Sequence, residues 1–310
     1  MKKLMVTGGL GFIGSYFVEL ALKRGYHVIN VDKKTYAARE DVDFSKYPHY
    51  ELIEEDICAI KHLPVGIDFI VNFAAESHVD NSILANHDFF HSNIHGVYNI
   101  LELMRAKDET DCPVLLHIST DEVYGTAHEG SYTELDKLTP SNPYSATKAA
   151  AEQLIFGWRH TYELPVIICR SCNNYGFGQY PEKLLAKTIE YLLNGKKMTI
   201  HGDGTYRREW IYAEDNCEGI LTVLEKGKLG EVYNISSNEE YSVLEAVKMV
   251  VAAMGKTDAE ALVHIQNRPG QDLRYSVDTA KVRALGWEPK TSLREYLPTY
   301  IKLYKKHLGL

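Results

Sequence analysis

The segment Val6-Thr7-Gly8-Gly9-Leu10-Gly11-Phe12-Ile13-Gly14 joins an apolar run, Lys3–Thr7, to an amphipathic stretch, Tyr16–Arg24, at the very start of the chain. Three spaced glycines at a strand-to-helix junction leave few folds open. Gly8 permits a tight turn, Gly11 lets backbone approach a pyrophosphate, and Gly14 lets the helix pack close on the strand. The helix N-terminus that follows offers N–H groups and a positive dipole end to negative charge, so Gly8, Gly11, Phe12, Ile13 and Gly14 form a candidate anion cradle. The spacing is G-x-x-G-x-x-G, a variant of the commoner G-x-G-x-x-G. A glycine triplet alone says little; its strand-loop-helix setting gives it weight.

The runs His27–Val31, Phe69–Asn72, Val114–Ser119 and Pro165–Arg170 are short and apolar, as strands buried on both faces are. Helical patterns lie between them, including Ile94–Arg105 and Ala146–His160. This alternation predicts an α/β fold, a Rossmann-type doubly wound parallel sheet. After about residue 171 the alternation weakens. Lys183–Leu193 and Leu244–Met254 have helical patterns, while Met198–His201 and Glu231–Ile235 look like short strands. The expectation is a dinucleotide-binding domain over 1–170 with returns near 211–235. A smaller, interleaved C-terminal α/β substrate-binding lobe would take most of 171–310.

A formal net charge of −8 argues against a broad basic surface for nucleic acid. No apolar run approaches the roughly 20 residues of a membrane helix. Met1–Val6 enters a strand directly without the marks of a signal peptide, so a cytoplasmic protein is expected. The five cysteines are odd in number and scattered, as reduced thiols are, and Cys169-Arg170-Ser171-Cys172 reads as a strand and its end. His78, His91, His95 and His117 show no metal-ligand spacing with a cysteine or carboxylate pair, so no metal is expected.

Asp32 closes the second strand, where a carboxylate accepts from adenosine ribose hydroxyls and repels a 2′-phosphate. NAD is therefore favoured over NADP. Lys33 and Lys34 weaken that preference, since cations there could hold the phosphate, and a plain turn role for Asp32 remains open. Asp56 and Ile57 are placed for the adenine. Tyr144-Ser145-Ala146-Thr147-Lys148 opens a helix after Pro140-Ser141-Asn142-Pro143, which sets Tyr144 and Lys148 on one face. An ammonium there would stabilise tyrosinate and make Tyr144 a usable base. Thr120, at the end of His117-Ile118-Ser119-Thr120, would bond the same substrate oxygen.

With this set the chain resembles the extended short-chain dehydrogenase/reductase superfamily over nearly its whole length. Sub-family turns on Ser119-Thr120-Asp121-Glu122-Val123-Tyr124-Gly125. Oxidation at C4 of a sugar followed by loss of water needs an acid for the departing C6 oxygen and a base for the C5 proton. Asp121 and Glu122 supply that pair, and adjacent carboxylates push their pKa values apart. A solvated acidic turn is the plain alternative.

Further segments are similar to the dTDP-glucose 4,6-dehydratases: Asp32-Lys33-Lys34-Thr35-Tyr36-Ala37, Phe73-Ala74-Ala75-Glu76-Ser77-His78-Val79-Asp80, Asn173-Asn174-Tyr175-Gly176, Pro181-Glu182-Lys183-Leu184, Gly202-Asp203-Gly204, Arg208-Glu209-Trp210 and Arg268-Pro269-Gly270. The resemblance implies a tightly held NAD, reduced and reoxidised within each turnover, and a 4-keto-6-deoxy sugar nucleotide as product. Tyr144 would take the C4 hydroxyl proton, Glu122 the C5 proton, and Asp121 would protonate the C6 oxygen. Lys33, Thr35, Phe73, Ala74, Ala75, Ser77, Ser92 and Asn174 would line the cofactor pocket with the residues above.

On the same ground Ser77, Thr120, Asn173, Glu182, Lys183, Leu184, Asn234, Arg268 and Asp272 would meet the nucleotide-diphospho-sugar, with Thr199 and His201 at the nucleobase. Arg208 would grip the diphosphate bidentately, unless it pairs with Glu209 or Glu214. The lobe departs from the family pattern. His201 replaces a tyrosine, Gln271 a histidine and Leu273 an arginine, and the stretch from Gly125 to Pro140 is compact. UDP-glucose, UDP-N-acetylglucosamine and CDP-sugars therefore stay open as substrates. So do 5,6-dehydration, 4-epimerisation and, remotely, non-catalytic dinucleotide sensing. Phe89, Phe90, Leu154, Ile155, Phe156 and Trp158, on the expected helices Ile83–Arg105 and Ala146–His160, carry an apolar surplus. It suits a homodimer or burial within one chain.

Overall fold

The computed structural model describes residues 1–266 and 271–310, so Arg268 lies outside the described residues. Twelve strands are present among the described residues: β1 (Lys3–Thr7), β2 (His27–Val31), β3 (Tyr50–Ile53), β4 (Phe69–Asn72), β5 (Val114–Thr120), β6 (Val166–Ser171), β7 (Asn173–Tyr175), β8 (Met198–His201), β9 (Arg207–Tyr212), β10 (Val232–Ile235), β11 (Glu239–Ser242) and β12 (Leu262–Ile265). Seven of them form one sheet in the order β3-β2-β1-β4-β5-β6-β10. Every pairing in it is parallel. This is the doubly wound Rossmann order with one strand added at the β6 edge. β3 carries no continuous apolar run because its central residues, Glu51 and Leu52, are exposed.

Helices cover both faces of the sheet. On one face, Phe17, Val18 and Ala21 of helix Phe12–Lys23 share a core with Ile220 and Leu221 of helix Ala213–Lys226. On the other, Ile100, Leu101 and Met104 of helix Gly96–Arg105 pack with Ala151 and Ile155 of helix Pro143–Tyr162. A third core belongs to the lobe and joins Leu185, Ile189, Val247, Val250, Leu293 and Tyr300. There β8 pairs with β12, and β9 lies between β11 and β7. No helix among the described residues is long and apolar enough to cross a membrane.

One expected helix is interrupted. Ile83–Arg105 divides into the end of helix Val79–Leu84, a break at Ala85 and Asn86, a short helix His87–Phe90, a π turn His91–His95 and helix Gly96–Arg105. The π turn carries Ser92 and Asn93 inward. Asn93 accepts from Glu76 N at 2.8 Å and donates to Glu76 O at 3.0 Å and Thr147 Oγ1 at 2.9 Å. Buried polar groups need partners, and the wider turn places the amide among these three.

Candidate active site

The glycine loop is shaped by contacts that only glycine tolerates. Gly8 has φ +69°, and a Cβ there would stand 2.7 Å from Ala74 N; at Gly14 a Cβ would meet Gly8 O at 2.2 Å. Helix Phe12–Lys23 starts at Gly11 with no side-chain cap, which leaves its positive end for an anion. Asp32 is buried, accepting from Leu10 N and Lys34 N, each at 2.8 Å. The two following lysines are committed elsewhere: Lys34 to Glu54, Lys33 to Ser92 Oγ at 3.1 Å and Asp56 Oδ2 at 3.4 Å. Their charges are thereby partly neutralised, which restores the preference of Asp32 for an unphosphorylated ribose.

A cavity of about 490 Å³ runs from this loop to the lobe. Its wall includes Gly8, Gly11, Phe12, Ile13, Gly14, Asp32, Lys33, Thr35, Asp56, Ile57, Phe73, Ala74, Ala75, Ser77, Ser92 and Asn174 on the cofactor side. Thr120, Glu122, Tyr144 and Lys148 stand midway, and Asn173, Glu182, Lys183, Leu184, Thr199, His201, Arg208 and Asp272 complete the lobe side. Asn174 Oδ1 is buried without a hydrogen-bond partner while its Nδ2 donates to Cys172 O at 2.9 Å. That orphaned acceptor and the Gly8 cradle fit a dinucleotide.

Two expected residues are not in the wall. Asn234 is fully buried on β10, accepting from Tyr124 Oη at 2.8 Å and donating to Tyr132 O at 3.2 Å. Its amide is spent inside the protein and does not reach the cavity. Asp121 is also buried, one layer behind, accepting from Thr120 Oγ1 at 3.2 Å through Oδ1 while Oδ2 has no partner.

Tyr144 sits in the first turn of helix Pro143–Tyr162, where Pro143 and a reciprocal capping box between Asn142 and Ser145 fix the helix start. Burial pushes its phenol well up, Glu122 adds to this, and the Thr120 hydroxyl opposes it. Lys148 lies one turn on, as expected, yet its ammonium is not on the phenol. Nζ donates to Ile118 O at 2.6 Å and meets His117 Nε2 at 3.3 Å. Burial pulls Lys148 down to about 8. His117, sandwiched between Lys148 and Asn72 Nδ2 at 3.0 Å, is held neutral by burial and by the neighbouring cation. The expectation that Lys148 lowers the Tyr144 pKa thus has no direct contact behind it in this arrangement.

The two carboxyls differ. Asp121 is pushed well above the usual carboxylate range by burial, then by Glu122 and Glu209. Glu122 is raised by burial too, but Arg208 and Lys183 pull it back. Asn142, the cap of the tyrosine helix, approaches Glu122 Oε2 at 3.4 Å, as does the Tyr275 hydroxyl. An acid held neutral beside a carboxylate that ionises more readily is the set needed to protonate one atom and deprotonate its neighbour.

Arg208 is buried and pairs with neither Glu209 nor Glu214. It donates to Arg207 O at 2.7 Å and Asp272 O at 2.9 Å, and its guanidinium lies 4.1 Å from the centre of the Tyr275 ring. Among the described residues no carboxylate is within ion-pair distance of it. A buried cation without a counter-ion favours an anionic ligand. Asp272, by contrast, spends its carboxylate on Thr126, Ser141 and Tyr275 hydroxyls, and so braces the wall. Lys183 Nζ donates to Ser77 O at 2.6 Å, and Glu182 accepts from Tyr36 Oη at 3.2 Å, which ties the lobe to the cofactor side.

Sequence reasoning missed Asn142, Tyr275 and the part played by His117. Asn142 was legible as a helix cap; Tyr275 left no local signal. All five cysteines are free, and burial raises the Cys169 and Cys172 thiols, as for core residues rather than a redox pair.

A family model described as GDP-mannose 4,6 dehydratase matches residues 5–299. The Low-salt glycan biosynthesis protein Agl12 of Haloferax volcanii is 43% identical over 307 residues, 97% of this chain and 98% of its own length. A dTDP-glucose 4,6-dehydratase of Haemophilus influenzae is 39% identical over 98% of each chain. Among solved structures, the dTDP-glucose 4,6-dehydratase DesIV of Streptomyces venezuelae, with NAD and TYD bound, superposes with a TM-score of 0.91 at 36% identity, over 99% of this chain and 98% of that one.

Proposed function

This chain belongs to the GDP-mannose 4,6 dehydratase family, within the extended short-chain dehydrogenases/reductases, and on that premise we propose that it is an NAD-dependent nucleotide-sugar 4,6-dehydratase. The preferred substrate is dTDP-glucose, the sugar nucleotide named for two of the relatives above. The observation that carries the reading is the unequal carboxyl pair beside Tyr144: Asp121 is buried with Oδ2 unpartnered and its carboxyl pushed up, while Glu122 faces the cavity within the influence of Arg208 and Lys183. A 4-epimerase needs no such acid and base.

The glycine loop, Asp32 and the Asn174 side of the cavity would hold NAD, which when bound would supply the redox chemistry needed at C4 and C6. Tyr144 accepts the C4 hydroxyl proton with Thr120 holding the same oxygen, which requires positive charge brought to the phenol, from Lys148 turned off Ile118 O, to offset the burial that otherwise keeps it protonated. Glu122 removes the C5 proton, and Asp121 gives its proton to the C6 oxygen, which leaves as water. Asp121 reaches that oxygen past Thr120, which needs a small rearrangement of the wall. Arg208 and Lys183 hold the diphosphate, and Thr199 and His201 flank the base.

The enzyme works in the cytoplasm as a homodimer. Exposed Tyr98 and Tyr162, with half-buried Trp158 between them, support the dimer, since they make an aromatic face across helices Gly96–Arg105 and Pro143–Tyr162; Leu84 and Phe90 are exposed on the two short helices before them. Phe89 and Ile155 are buried within the chain and do not belong to that face.

The test is mass spectrometry of purified protein incubated in parallel with dTDP-glucose, UDP-glucose, UDP-N-acetylglucosamine and a CDP-hexose, with no added cofactor. A product lighter by one water from dTDP-glucose is expected. Conversion without loss of mass would replace dehydration by epimerisation.

A further inference from the structure

Cys58, His91 and His95 are separated in sequence and converge beside the adenine end of the cavity. Cys58 comes from the turn after β3, and the two histidines from the π turn. Gly96 makes the meeting possible: a Cβ there would lie 2.3 Å from Ile57 Cδ1 and 3.5 Å from Cys58 Sγ, so only a bare backbone can rest on this turn. The thiol is held at the π turn by donating to His91 O at 3.4 Å. The two imidazoles lie 5.4 Å apart between centroids with 35° between their planes.

One ligand atom from each residue lies within 4.8 Å of the other two. In a tetrahedral zinc site, with Zn–S about 2.3 Å and Zn–N about 2.0–2.1 Å, neighbouring ligand atoms stand roughly 3.3–3.6 Å apart. Rotation about the side-chain torsions of half-buried His91 and exposed His95 closes the remaining gap. We infer that Cys58, His91 and His95 form a binding site for a borderline-soft divalent cation, Zn2+ by preference, with a fourth position left to water. One thiolate and two imidazoles suit zinc and not the oxygen-seeking Mg2+ or Ca2+.

Asp56 Oδ2 lies 3.9 Å from His91 Nε2 and adds negative charge, while Lys33, 3.4 Å from the same oxygen, opposes it. The thiol carries its proton where it donates to His91 O, so the metal binds by displacing that proton. The S–H bond breaks, an S–Zn bond forms and H+ passes to solvent; nothing is oxidised or reduced. Sequence spacing hid the site because its cysteine lies on a different element from its histidines.

The test uses the full-length protein, stripped with chelator and titrated first with Co2+ and then with Zn2+. The site predicts an equimolar sulfur-to-cobalt charge-transfer band in the near ultraviolet that Zn2+ abolishes. Cys58→Ser should remove the band. His95→Ala, at an exposed position, should weaken Zn2+ binding more than about tenfold while the circular dichroism spectrum stays that of the parent, since even outer groups of a metal site carry that much. Cys112→Ser, at a comparably half-buried thiol, should leave both readouts unchanged. Absence of the band, or Zn2+ binding indifferent to His95→Ala, overturns the assignment.

Discussion

The cofactor half and the substrate lobe build their walls of one cavity by different means. Around the glycine loop the backbone does the shaping: Gly8 at positive φ, Gly14 against Gly8 O, and Leu10 N on Asp32. The lobe uses side chains brought from far apart, such as Arg208 braced by Asp272 O and the Tyr275 ring. A backbone cradle accepts one shape and is written in adjacent residues. A side-chain wall can be altered piece by piece, and His201 and Gln271, two of the positions expected to depart from the family pattern, line it, while Leu273 is exposed outside it.

The sharpest test of this division is Tyr144→Phe, on the border of the two regions. Loss of the general base should lower kcat by about 10²–10⁴-fold. NAD retained by the purified protein, measured after denaturation, should not change. Loss of NAD along with activity would place Tyr144 in the cofactor half and break the comparison.

Asp121→Asn should cost about a hundredfold or more in kcat, by removing the acid for the departing oxygen. The pH profile gives the sign. Glu122 must be ionised, so activity falls as pH drops through its raised pKa. Asp121 must be protonated, so activity falls again as pH climbs through its own raised pKa. The amide cannot ionise, and what activity remains should lose its alkaline limb. A limb that persists near pH 8 belongs to Lys148, pulled down to about 8 by burial.

What could be read from the sequence follows the same line. β1, β2 and β4 have the bounds their apolar runs imply, because strands buried on both faces leave continuous runs. The turn Pro140–Pro143 implied a helix opening at Tyr144; the helix begins one residue earlier, at Pro143, with Asn142 as its cap. The partners of Lys148 were not legible, since Ile118 O and His117 come from β5 and no helix periodicity encodes them. Nor was the π turn His91–His95 inside Ile83–Arg105, where Asn93 meets Glu76 and Thr147. Asn234 was expected at the substrate but is turned into the Tyr124 and Tyr132 network.

Arg208→Lys removes a planar, two-pronged grip and leaves the charge. Hydrogen bonds to charged groups contribute about 1.5–3 kcal/mol, so KM should rise by about 10–100-fold with a smaller change in kcat. A kcat loss without a change in KM would shift Arg208 from holding the diphosphate to tuning Asp121 and Glu122, both of which feel its charge.

The smallest effect is expected at His201. It lies on β8 with its side chain at the cavity, and Nδ1 is buried without a partner. That nitrogen has capacity for a hydrogen bond to a ligand, and the imidazole is shorter than the tyrosine that the resemblance leads one to expect there. His201→Tyr should therefore shift the ratio of kcat/KM between dTDP-glucose and UDP-glucose by up to about tenfold, the equivalent of about 1.4 kcal/mol. NAD retention should stay as it was, because no backbone in the glycine loop depends on β8. A change in NAD retention with this substitution would show that the lobe and the cradle are mechanically coupled, and that the cavity is one device rather than two walls.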